Sequence, residues 1–108
     1  QDEINLLINQ YFLDSQIYKD YENECSILES YHFGGYAKVN QELVEFMRTF
    51  YQYTGVKLDP IYSGKMMFGL LNQLKSNKNY FGKKILAIHT GGMQGLIGVE
   101  EKLGFSIF

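Results

Sequence analysis

Apolar residues recur at three- and four-residue spacing through much of this chain, the mark of helices that bury one face. Ile4, Leu7, Ile8, Tyr11 and Phe12 make the first such stripe, and Asp2 stands where it can cap it. From Asp14 to Glu29 the pattern turns mixed and acidic, with Ile17, Tyr18, Tyr21 and Ile27 able to line one face. That predicts continued helix or a second short one. Tyr31-His32-Phe33 reads as a short extended piece that Gly34-Gly35 breaks, and Tyr36-Ala37-Lys38-Val39 leads on to Asn40. Asn40 suits a helix N-cap, and Glu42 puts negative charge in the first turn, where the helix dipole favours it. Leu43, Phe46, Met47, Phe50 and Tyr51 form the apolar stripe of that helix, which Gly55 ends.

Val56-Lys57-Leu58 reads as a short strand, and Asp59-Pro60 as a turn, since proline drives its predecessor out of the helical region. A helix is expected from Ser63, on the stripe Met66, Met67, Leu70, Leu71 and Leu74, and Ser76-Asn77-Lys78-Asn79 closes it. Ile85-Leu86-Ala87-Ile88-His89 is continuous and apolar, as in a strand buried on both faces of a parallel sheet. Gly91-Gly92 then turns into a last helix, Met93 to Leu103, with Gly104 as its stop. The alternation predicts an α/β fold, a small parallel sheet with flanking helices. Residues 1–30 would be a helical N-terminal segment and 31–108 the α/β unit, packed as a single compact whole. Ligands of such sheets sit at the carboxyl ends of the strands, where Tyr62 and Thr90 both fall.

Composition narrows the functions open to this chain. At 108 residues and 45% hydrophobic it can build one domain with one core. The net charge is −2 and the ten basic residues are scattered, which argues against a nucleic-acid footprint. The apolar runs are too short to cross a bilayer, so no membrane is expected as a partner. One cysteine, Cys25, excludes an internal disulfide and fits a reducing, cytoplasmic setting. Glu22, Glu24 and Glu29 around it discourage thiolate formation, which makes a structural cysteine the expectation. Nine tyrosines and eight phenylalanines put much surface in need of burial. The chain opens at Gln1 straight into a helical pattern, which reads as a piece of something longer.

The candidate chemistry lies at two turns. Thr90-Gly91-Gly92, between strand and helix, can aim backbone N–H groups at an anion or a ring acceptor, and the glycines allow close approach. A turn that needs glycine only for its geometry explains the same residues. Tyr62 stands at a helix mouth and Tyr36 after a glycine break, each readable as an aromatic packing residue or as a substrate contact. His32 and His89 lack metal-ligand spacing, so no metal site is expected, and His89 reads first as a hydrogen-bonded structural residue. Lys65 can meet a phosphate or a carboxylate, though a lysine on a helix face is usually solvated.

Three ordered blocks carry a resemblance. Gly35-Tyr36 is followed by Asn40 and a helix. Leu58-Asp59-Pro60-Ile61-Tyr62-Ser63-Gly64-Lys65-Met66 then leads to Gly69-Leu70, and Ile88-His89-Thr90-Gly91-Gly92 comes third. From Gly34 to Leu103 the chain resembles the C-terminal part of the 1-aminocyclopropane-1-carboxylate deaminase and D-cysteine desulfhydrase family. These are tryptophan-synthase β-like, fold type II enzymes that use pyridoxal phosphate (PLP), of which this chain would be a partial domain. The resemblance implies that Tyr36 and Tyr62 face a small amino-acid substrate and take part in proton or nucleophile chemistry. It implies that Thr90 lies near the pyridine nitrogen and that Ser63, Gly91 and Gly92 help to form the cofactor wall. Ser63 after the tyrosine and Thr90 before Gly-Gly look more like the desulfhydrase branch than like the cyclopropane-opening deaminases, which tend to carry Glu and Leu there.

PLP chemistry starts from a lysine Schiff base and a phosphate cradle. In the family both come from earlier in a chain of about three hundred residues, a size suited to two domains. No lysine here stands in such a context, so the chain is expected to supply one wall of an active site and to be inactive alone, in a parent enzyme that is a homodimer. Two other readings stay open: a non-catalytic interaction module that kept the fold, and a small phosphate- or nucleotide-binding domain built on Thr90-Gly91-Gly92.

Overall fold

A computed structural model describes Glu3, Leu6 and residues 26–108. The first predicted stripe, nearly all of the helical segment 1–30 and Cys25 lie outside the described residues. Ser26 to Glu29 have no regular structure, so the expected helix does not reach Glu29.

Three helices organise the described part: α1 (Gln41–Thr54), α2 (Ser63–Ser76) and α3 (Gln94–Leu103). The boundaries of α1 follow from local chemistry. The side chain of Asn40 accepts a hydrogen bond from the Leu43 amide at 2.9 Å, which satisfies one of the donors a helix start leaves free. At the other end Gly55 takes the left-handed conformation (φ +72°), and its N–H returns to the Tyr51 carbonyl at 2.8 Å. Gly104 ends α3 in the same way, at φ +80°.

The core gathers on the inner face of α1. Leu43, Val44 and Met47 are buried there with Leu58 from the following connector, Val99 from α3 and Ile107 near the C-terminus. Phe46 of α1 meets Phe68 of α2 edge-on at 5.3 Å between centroids, and Phe33 meets the same ring at 4.9 Å. Arg48 fastens the end of the chain: its Nε donates to the Ile107 carbonyl at 2.6 Å and its Nη2 to that of Ser106 at 2.9 Å. The Ile107 amide donates in turn to the Glu100 carboxylate.

The expected parallel sheet is absent: among the described residues there is no strand. Ile85 to His89 and Val56 to Leu58 have no regular structure and join no ladder, and Tyr31 to Phe33, expected to be extended, form turns and a bend. The physical reason lies in what makes a strand. An apolar run becomes one only when its backbone N–H and C=O groups meet a neighbour, and nothing described here pairs with these. The run is also far from doubly buried, with Leu86 85% and Ile88 63% exposed. The described part is therefore helical, its three helices joined by irregular connectors, and not α/β.

Candidate functional site

The site is built on the turn that leads into α2. Pro60 has no N–H, so the first free amides after Asp59 are those of Ile61, Tyr62 and Ser63. All three converge on the Asp59 carboxylate. Ile61 and Tyr62 donate to Oδ1 at 2.9 and 2.7 Å, and Ser63 donates to Oδ2 at 2.8 Å. The Ser63 hydroxyl donates to Oδ2 as well, at 2.5 Å, and accepts from the Asp59 amide at 2.8 Å. Asp59 is fully buried. Burial alone would raise its pKa, but the Ser63 hydroxyl and the Ser63, Tyr62 and Ile61 amides outweigh that and hold it below the ordinary aspartate value. The carboxylate thus acts as a cap for the start of α2 and fixes the backbone from which Tyr62 projects.

The same carboxylate meets the second turn. Gly92 sits at φ +80°, and a Cβ there would lie 3.3 Å from the Asp59 carboxylate, so the loop approaches closely because glycine leaves the space. One turn later, a Cβ on Gly95 would fall 2.8 Å from the Ile61 side chain. The start of α3 is therefore pressed onto the Asp59–Tyr62 turn. His89 shapes the loop itself. Its Nδ1 accepts from the Gly91 amide at 3.0 Å, which leaves Nε2 to donate to the Lys57 carbonyl at 3.0 Å. Thr90 stands exposed between them, and the space where a Gly91 side chain would project is open.

Tyr36 arrives on a third loop of unusual backbone. Phe33 and Ala37 have φ of +56° and +58°, in a region that costs a non-glycine residue about 1–3 kcal/mol, and Gly34 and Gly35 between them are also positive. His32 repeats the arrangement of His89, its Nδ1 accepting from the Gly34 amide at 2.9 Å. Lys65 reaches across from α2 and donates to the carbonyls of His32 at 2.7 Å and Gly35 at 3.0 Å. Burial lowers the pKa of its amine.

These three loops bring the two predicted tyrosines together. The Tyr62 hydroxyl donates to that of Tyr36 at 3.4 Å, with the rings edge-to-face 6.2 Å apart. Both are exposed, Tyr36 at 75% and Tyr62 at 57%. The hydrogen bond to Tyr36, that hydroxyl's charge when ionised, slight burial and Asp59 all raise the Tyr62 pKa above the ordinary tyrosine value. Tyr62 therefore keeps its proton at neutral pH. Ser63 is turned inward, 3% exposed, with its hydroxyl engaged by Asp59.

The three matching blocks of sequence thus meet in space at one buried carboxylate and one tyrosine pair. The Arabidopsis thaliana mitochondrial bifunctional D-cysteine desulfhydrase/1-aminocyclopropane-1-carboxylate deaminase is 51% identical over 70 residues, 64% of this chain and 18% of that protein. This chain is a relative of the 1-aminocyclopropane-1-carboxylate deaminase and D-cysteine desulfhydrase family. A Pyrococcus furiosus protein provisionally named as a 1-aminocyclopropane-1-carboxylate deaminase is 43% identical over 76 residues, 70% of this chain and 22% of its own length. A D-cysteine desulfhydrase of Yersinia pestis is 35% identical over 80 residues, 74% of this chain and 24% of that enzyme. The chain spans about a fifth of the length of the curated relatives it matches. No family model and no solved structure matches it. No helix among the described residues is long and apolar enough to cross a membrane.

Two residues of this site carry more than sequence reasoning assigned to them. Asp59 was legible only as half of a turn, although Asp-Pro followed by Ser four positions on is the spacing that lets one carboxylate collect the amides of a helix start. Lys65 has no such signal, because its partners lie some thirty positions away in sequence.

Proposed function

We propose that this chain supplies the substrate-facing wall of a PLP-dependent enzyme that releases ammonia, with or without sulfide, from a small amino acid. The observation that carries the reading is the exposed Tyr36–Tyr62 pair, with hydroxyls 3.4 Å apart, on a turn whose carboxylate also seats the Thr90-Gly91-Gly92 loop. Tyr62 gives its one proton to the Tyr36 oxygen, which leaves the Tyr36 hydroxyl proton free as the hydrogen-bond donor toward the substrate, and Tyr62 orients that hydroxyl. Ser63 acts by locking Asp59. The serine and threonine at positions 63 and 90 favour the desulfhydrase side of the family.

The residues present fit one end of the cofactor. Thr90 offers an exposed hydroxyl to a ring nitrogen, and the open space over Gly91 lets a flat ring approach the backbone. When bound, PLP supplies the electron sink that allows a bond at the amino-acid α-carbon to break. They do not fit its covalent anchor. The half-buried amine of Lys65 is committed to two carbonyls, and every other described lysine is exposed on the surface. None of the described lysines is placed as the anchor, and in this reading the anchoring lysine and the partner subunit of a homodimer come from outside this chain.

The test is to add PLP, reduce with borohydride and map adducts by intact and peptide mass. Substoichiometric scatter over several surface lysines is expected. A stoichiometric adduct at one lysine would show that the chain carries its own anchor and would overturn this division of labour.

A further inference from the structure

Lys65 is set apart from the other described lysines by where its amine goes. Its Nζ lies in a half-buried position and donates to two carbonyl oxygens of one loop, those of His32 and Gly35. We propose that Lys65 is the positioning residue for the Tyr36–Tyr62 pair, its ammonium clamping the His32–Gly35 loop to the first turn of α2. The proposal rests on the reading of the two tyrosines as substrate-facing.

The loop's own bonds fix its curvature but not its place. Gly35 N–H to the His32 carbonyl, Lys38 N–H to the Gly35 carbonyl and Gly34 N–H to His32 Nδ1 all run between near neighbours. Two non-glycine residues of the loop, Phe33 and Ala37, hold positive φ, and such a backbone persists only where its surroundings over-determine it. Upstream, the loop is tied to α2 by Phe33 against Phe68 and by the Asn72 amide donating to the Tyr31 hydroxyl at 2.8 Å. Neither tie touches the Tyr36 end. Lys65 does, because Gly35 is the residue immediately before Tyr36. Three positions separate Lys65 from Tyr62 on the other side, so one side chain spans from the backbone of one tyrosine to the start of the helix that carries the other. A charged donor with several protons suits the task, since it satisfies both carbonyls at once.

The experiment reads the tyrosine pair directly, without substrate, so its failure is distinct from a failure of the tyrosines to act on one. In the wild-type chain at neutral pH, nuclear Overhauser contacts between the Tyr36 and Tyr62 ring protons are expected, assigned by loss in the Y36F and Y62F spectra. K65M should abolish them while the fold, followed by the Phe33–Phe68 contact, stays in place. K65R, which restores two donors, should return them. K65M spectra that keep the wild-type ring contact would overturn the proposal. Should K65M fail to fold, the wild-type chain answers by itself through scalar coupling across the hydrogen bonds from Lys65 Nζ to the His32 and Gly35 carbonyl carbons. Observed coupling supports the clamp; a freely exchanging amine without coupling overturns it.

Discussion

Replacing Asp59 by asparagine should destabilise the chain by about 3 kcal/mol, although the two side chains have nearly the same shape. The amide oxygen of D59N could keep the Ile61 and Tyr62 amides, but its NH2 would face the Ser63 amide, donor against donor. Two bonds to a charged acceptor are then lost, from the Ser63 amide and the Ser63 hydroxyl. Each is worth about 1.5–3 kcal/mol, and a buried N–H is left without a partner. Relief from desolvating a charge at a fully buried position offsets part of that sum. In a domain of this size the loss lowers the melting temperature by roughly 12 °C or more. The assay is urea unfolding at pH 7, followed by tyrosine fluorescence. The pH dependence supplies a second reading. The folded pKa of Asp59 lies below its ordinary 3.8, so its contribution is complete above that value and is lost as pH falls through the lower folded value. The gap between wild type and D59N should therefore narrow in strong acid. A D59N chain within about 0.5 kcal/mol of wild type at pH 7, the ordinary scatter of surface changes, would refute the argument.

Other substitutions probe neighbouring parts of the account. G92A forces a Cβ to within 3.3 Å of the Asp59 carboxylate at φ +80° and should cost about 2 kcal/mol by the same unfolding assay. N40A removes the acceptor for the Leu43 amide and should cost about 1 kcal/mol without changing the tyrosine pair. R48M takes both donors from the Ser106 and Ile107 carbonyls, so hydrogen exchange should speed up at Phe105 to Phe108 before it does in α1.

What was legible in the sequence was what neighbours decide. Asn40 and Gly55 bound α1 as expected, because a cap is settled within four residues, and Ser63 and Leu103 mark helix ends for similar reasons. Tyr36 and Tyr62 were singled out on motif and do meet. The sheet was not legible. Ile85 to His89 have the composition of a buried strand, yet a ladder depends on distant partners that composition cannot supply, and here the run stays unpaired. The roles of Lys65 and Asp59 are hidden in the sequence for opposite reasons. The lysine's partners are remote in the chain, whereas the aspartate's are adjacent and masked by the more familiar signal of an Asp-Pro turn.

The central claim is that this stretch forms the substrate-facing wall of a deaminase or desulfhydrase site, with Tyr36 and Tyr62 at the substrate. Its most direct test grafts residues 34–103 into the matching stretch of the Arabidopsis enzyme and measures sulfide release from D-cysteine. The graft should turn over, and Y36F and Y62F within it should each lower kcat by roughly tenfold or more, about 1.4 kcal/mol of transition-state stabilisation. A working graft whose double phenylalanine variant keeps its full rate would contradict the account.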